Sequence, residues 1–170
     1  MARAVGAGDR ELARHIAQQA FTVNAALALV VTGLGILFTE VMLRALGISD
    51  AVIAEAAGYM RWQFAGTLAL TARMATGAAL QASGDAVTPM KATTAARLID
   101  LVLAPILMFG WLGAPSFGVA GVAVANLIGQ SLGAGINVRN LATGRSGLHV
   151  TLAGYHFDPK LIWRLVRIGT

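Results

Sequence analysis

Arg73, Arg97 and Asp100 are the residues to weigh first, because each interrupts a long apolar run. A charge inside such a run can clamp two helices through an opposite charge, or it can carry a proton or another ion. Arg73 and Asp100 lie equally far from the middle of the polar turn, between Ala86 and Val87. Antiparallel helices leaving that turn would carry both to one depth, about 20 Å away. The spacing therefore predicts an Arg73–Asp100 pair across a hairpin, with Arg97, three residues before Asp100, as the competing partner. Left alone at that depth, a charge costs about 2.5–3.5 kcal/mol on insertion scales, so a partner is expected. Two roles stay open for this set: a clamp, or ion coupling through Asp100.

A second set is polar but uncharged. On a helix turning about 100° per residue, Gln63, Thr67, Met74 and Gln81 share one side. Asn126, Gln130 and Asn137 fall within about 40° of one another on a later helix. Such stripes can line a pathway for a small organic, cationic substrate, or they can hydrogen-bond neighbouring helices. Gln63, Thr67, Asn126 and Gln130 are the candidate pathway residues, and Asn24 carries the same two readings.

Enzyme chemistry is not expected. His15, His149 and His156 are scattered, no Ser-His-acid arrangement exists, and the carboxylates form no paired site. The chain has no cysteine, which excludes disulfides, thiolate nucleophiles and cysteine-bound metals. Gly6-Ala7-Gly8-Asp9 follows no strand and lacks a Lys-Ser/Thr pair, so it reads as an elbow with Asp9 capping a helix. No cofactor or metal is expected.

The elements that position these residues are membrane spans. Hydrophobic residues make up 56% of the chain and charged ones 12%, against about 25% charge in a soluble domain. A chain of 170 residues this apolar cannot cover itself with polar surface. The expected fold is an all-α membrane protein in one domain. An elbow over 1–16 precedes span one at 17–47, span two at 51–83, span three at 90–112 and span four at 118–142. A linker over 143–170 ends the chain. Gly84 can end one helix in a left-handed conformation, and Pro89 can stand in the first turn of the next without needing an N–H. Glu40 and Arg44, four apart, are expected to pair at the far end of span one. Gly121, Ala125, Gly129 and Gly133 recur every four residues, a ridge on which another helix can pack closely. In the linker, Asp158 to Ile168 alternates Lys160, Arg164 and Arg167 with Leu161, Leu165 and Ile168, which predicts an interfacial amphipathic helix.

Charge sets the orientation. Arg3, Arg10, Arg14, Lys91, Arg139, Arg145, Lys160, Arg164 and Arg167 fall on one side of the spans, whereas Arg44 is accompanied by Glu40, Asp50 and Glu55 on the other. Positive loops mark the cytoplasm, so both termini and the Gly84 turn are expected inside. The net charge of +5 then reports loop bias rather than a nucleic-acid partner.

Three phrases in this order carry a resemblance: VGAGDRELA, ALQASGDAVTPMK and LVLAPILMFGWLGAPSFGVAGVAVAN. Together they resemble the multidrug and toxic compound extrusion (MATE) transporters. The resemblance implies twelve helices in two six-helix lobes, with this chain matching the third to sixth helices of the first lobe and the linker beyond. It implies a cation-coupled antiporter, using Na⁺ or H⁺, that exports drugs and other small organic compounds. The missing helices of the same transporter would be partners, because the family's first helix and second lobe have no counterpart in these residues. Where the family often reads Leu-Asp-Pro this chain has Leu103-Ala104-Pro105, and its carboxylate stands at Asp100, where the family commonly has Asn. Alternatives are a lipid-linked saccharide flippase of the same superfamily, a dimeric four-helix pump, and a truncated, non-transporting membrane protein.

Overall fold

A computed structural model describes residues 5–47, 49–113 and 115–143 of the chain. Four α-helices follow one another: α1 (Arg10–Ala45), α2 (Asp50–Ala82), α3 (Val87–Phe109) and α4 (Ala120–Ala142). A single 3₁₀ turn at Trp111–Gly113 lies between α3 and α4. The expected linker and its amphipathic helix, with Lys160, Trp163, Arg164 and Arg167, lie outside the described residues.

Each boundary has a local cause. α1 begins inside the stretch expected to be an elbow, because Asp9 accepts a hydrogen bond from the Leu12 amide at 2.9 Å. That cap satisfies one of the free donors of the first turn, so the helix forms seven residues before the apolar run. α2 stops at the left-handed Gly84 (φ +94°), as the turn chemistry required. The carboxylate of Asp85 then accepts from the amides of Val87 and Thr88, at 3.1 and 2.9 Å, and starts α3. Pro89 stands in that first turn, where it forfeits no helical bond.

α1, α3 and α4 are long and apolar enough to cross a membrane. α2 has the length, at 33 residues, but Arg61, Gln63, Arg73 and Gln81 keep it out of that class. It is embedded by its neighbours instead, packing along both α1 and α4. Apolar side chains face outward everywhere, Leu37 and Leu101 being 76% and 72% exposed, which is the pattern of helices with lipid or other helices as their solvent.

The helices stand in the order α1, α2, α4, α3. α4 is wedged between the two arms of the hairpin, and the ridge of small residues explains how. A Cβ on Gly129 would stand 2.6 Å from the carbonyl oxygen of Ala96, and one on Gly121 2.5 Å from that of Leu107. α3 and α4 therefore touch backbone to backbone. On the other flank Gly35 receives the ring of Phe64, where any side chain on α1 would collide. Thr32 donates to the Phe64 carbonyl at 3.0 Å beside it.

Two expected ion pairs are corrected by this arrangement. Glu40 does not pair with Arg44 along its own helix. It receives Arg61 of α2 at 2.6 Å, and Arg44 turns across the loop to Asp50 at 4.0 Å. Nor does Arg73 meet Asp100: it reaches α3 nearer the turn, at Thr93, while Asp100 receives Arg97 and Asn126. Nor do the two stand level along the helix that both touch: Arg73 lies beside Gly133 and Asn137, and Asp100 beside Gly129 and Asn126.

Candidate functional site

With α4 as a floor, α2 and α3 form the walls of a polar trough. Arg73 reaches across it from α2. Its Nε donates to Oε1 of Gln130 on α4 at 2.6 Å, and its Nη1 donates to Oγ1 of Thr93 on α3 at 2.7 Å. One guanidinium thus ties three helices together. Gly133 makes the passage possible, because a Cβ there would stand 2.7 Å from Arg73 Cδ.

Farther from the Gly84 turn the same trough holds Asp100. Its Oδ2 receives Nη1 of Arg97 at 3.5 Å and Nδ2 of Asn126 at 3.4 Å, both long contacts. Its Oδ1 is buried without a hydrogen-bond partner. The carboxylate is thus held by two long contacts on one oxygen and by none on the other. Asn137 closes the other end, donating from Nδ2 to the backbone carbonyl of Arg73 at 3.2 Å while its Oδ1 stays buried and unpaired. At about 1.5 Å per residue, Arg73 lies about 14 Å from the end of α2, and Arg97 and Asp100 about 15 and 20 Å from the start of α3. α3, at 23 residues, matches a roughly 30 Å hydrocarbon layer, so Arg97 and Asp100 stand in the middle of a helix of membrane length.

The structure therefore brings together five of the seven residues singled out from sequence: Arg73, Arg97, Asp100, Asn126 and Gln130. Gln130 is only 3% exposed, so its amide is committed to Arg73. Gln63 and Thr67 stand apart. Gln63 is exposed, and Thr67 turns its hydroxyl back to the Gln63 carbonyl of its own helix at 3.2 Å. Thr93 was missed, although it sits one helical turn before Arg97 on the same face, and that spacing was the available signal.

A second recess, of about 450 Å³, lies among α1, α2 and α4. Ala25, Ala28, Leu68, Ala72 and Leu141 form much of its wall, and Thr22, Asn24, Thr71 and Thr76 give it a few polar atoms. Thr71 and Thr76 donate to carbonyls within α2, leaving oxygen lone pairs and methyls for the recess. Of these residues only Asn24 stood out in the sequence; a threonine among alanines has no periodic signature.

The chain is 28% identical to the probable multidrug resistance protein NorM of Thermotoga maritima over 137 residues, 80% of this chain and 29% of that protein. It is 28% identical to an FAD transporter of Shewanella oneidensis, over 75% of this chain and 28% of that one. The probable multidrug resistance protein YoeA of Bacillus subtilis is 29% identical over 74% of this chain and 27% of its own length. The chain thus spans less than a third of the length of these relatives. Two solved structures superpose on 99% of it, each with a TM-score of 0.87 and 24% identity. They are an inward-facing multidrug resistance MATE family transporter of the MOP superfamily and a MATE protein in the bent conformation, matched over 38% and 37% of their chains. They establish the fold: this four-helix unit is part of the two-lobe, twelve-helix architecture. The family profile described as MatE matches residues 1–106, well over half of the chain. By its sequence, its membrane-spanning helices and its fold, this integral membrane chain belongs to the MatE family of transporters.

Proposed function

We propose that the chain supplies four helices of a cation-coupled antiporter that exports small organic compounds across a bacterial inner membrane, with the Gly84 turn and both termini on the cytoplasmic side. The observation that carries this reading is the trough itself. Two guanidiniums and one carboxylate with an unpartnered oxygen gather between long apolar helices, among Asn126, Gln130 and Thr93. Ionisable groups so placed are costly to keep, and where they occur they mark ion and substrate pathways. The relatives named for multidrug resistance and FAD transport supply the class of cargo, small and organic.

Asp100 is the proposed coupling group. Protonation, or a bound Na⁺, would satisfy its empty Oδ1 face, and release of that cation would return the carboxylate to Arg97 and Asn126. Gln130 and Asn126 face the pathway through the groups they hold, whereas Gln63 and Thr67 would join it only at a surface that other helices of the transporter complete.

The test is a chimera in which these residues replace the matched segment of a MATE transporter, produced in a host lacking its own drug exporters. Efflux of an organic dye that the parent exports, lost on Asp100→Asn, is expected. A chimera that reaches the membrane folded, shown by monodisperse gel filtration, and exports nothing contradicts the proposal.

A further inference from the structure

The trough is short of negative charge. Arg73 and Arg97 face a single carboxylate, and among the described residues no other acid lies in the bilayer-depth part of α2, α3 or α4. Arg73 uses two of its five N–H donors, on neutral acceptors, and Arg97 uses one of its five, in a 3.5 Å contact. The remaining donors belong to two guanidiniums on one side of α3: Arg73 reaches the level of Thr93, and Arg97 leans toward Asp100. At the helical rise the level of Thr93 and that of Arg97 are about 6 Å apart, a span that one organic ion could bridge. The Arg97 side chain is 58% exposed on the least covered of the three apolar helices, with only 11% of its apolar stretch buried. Leu98, Leu101 and Val102 are exposed along that helix and offer apolar contact beside the charges.

A guanidinium in the middle of a membrane-length helix is costly to leave facing lipid, so an anionic partner stabilises it. Arginine is also the side chain best shaped for a carboxylate or phosphate, because its planar fork presents two parallel N–H donors. We infer that Arg97 and Arg73 form a binding site for the anionic group of an organic cargo, a carboxylate or phosphate on an aromatic or otherwise apolar body. This deepens the exporter reading and rests on it, and it revises the charge expected of the cargo. Asn126 and Gln130 alone would suit cations; tied to Asp100 and Arg73, they instead hold the charged groups in place. Asp100 is then a competitor for Arg97 as well as the coupling group, so the cargo anion displaces a weak 3.5 Å contact rather than a tight one.

The test uses two xanthene dyes of similar skeleton and opposite charge, fluorescein and rhodamine 123, and the chain in lipid nanodiscs, with binding measured by equilibrium dialysis. Fluorescein should bind in preference to rhodamine 123. Arg97→Gln should weaken it by about tenfold or more, the loss of a charge-assisted hydrogen bond. Arg97→Lys should recover part of the affinity but not the forked geometry, and Asp100→Asn should tighten fluorescein by removing the competitor. Arg97 is exposed and packs against little, so its variants should keep the wild-type melting temperature; Arg73→Gln, which cuts a three-helix tie, is not used. Equal fluorescein binding by wild type and Arg97→Gln overturns the site. Preference for rhodamine 123 also overturns it, while leaving the exporter reading to the chimera. If neither dye binds and Arg97→Gln raises the melting temperature, the guanidinium answers to a carboxylate on another helix, and the site is again overturned.

Discussion

Gln130→Leu is the perturbation whose size the structure fixes best. Gln130 is 3% exposed, and its Oε1 accepts from a guanidinium at 2.6 Å. Hydrogen bonds to charged groups contribute about 1.5–3 kcal/mol in soluble proteins, whereas those between membrane helices average about 0.6 and reach about 1.7. Leucine fills nearly the same volume, so no large cavity offsets the reading. Arg73 keeps its bond to Thr93 at 2.7 Å. Weighing these, the loss should be about 1–2 kcal/mol. It is measured by reversible unfolding in bicelles, and a double-mutant cycle with Arg73→Met apportions it. The Arg73/Gln130 coupling should be about 1 kcal/mol, and the parallel Arg73/Asp100 cycle should stay below about 0.5 kcal/mol, as for residues that share no contact. A larger coupling for Arg73 with Asp100 than with Gln130 would refute the partnering described above.

Three further outcomes follow from other parts of the fold. Gly129→Leu must push α3 away from α4, because even a Cβ would stand 2.6 Å from the Ala96 oxygen; it should cost at least about 1–3 kcal/mol by the same unfolding assay, whereas Gly135→Leu, which meets nothing within 4 Å, should be nearly neutral. The hydrogen bond with Thr88 holds the Asp85 carboxyl below its ordinary pKa, with the two amides and Lys91 assisting. Its contribution is therefore present above the unfolded value of about 3.9 and is lost as pH falls through the lowered one; Asp85→Ala should cost about 1 kcal/mol at pH 7, and the difference from wild type should vanish in acid. Cysteines at Ala86 and Ser116, in the turns at opposite ends of α3, should react with a membrane-impermeant thiol reagent from opposite sides, and labelling of both from one side would contradict the orientation.

The helices were legible because their ends are local events. Asp9, Gly84, Asp85 and Pro89 act through bonds within a few residues, and apolar runs of membrane length need no tertiary information. The close α3–α4 contact was legible too, since the spacing of Gly121, Gly129 and Gly133 is itself the shape of a surface. Partner choice was not. Counting along a hairpin set Arg73 and Asp100 level, but it could not say that α4 offers Gln130 to one and, about a helical turn away, Asn126 to the other. The same reason hid Arg61, whose acceptor Glu40 lies 21 residues away on the preceding helix. Sequence periodicity reports which face of a helix is polar; which neighbour that face meets depends on helix order, and helix order is a property of the assembled bundle.

Gradient dependence in proteoliposomes carrying the chimera tests the coupling role of Asp100 most directly. With Asp100 in place, an outwardly directed cargo flux should accelerate when a H⁺ or Na⁺ gradient of the opposite direction is imposed. With Asp100→Asn, downhill exchange of cargo should persist while the response to the gradient disappears. If the gradient accelerates both proteins equally, Asp100 does not couple transport to the cation, and the trough is a structural clamp alone.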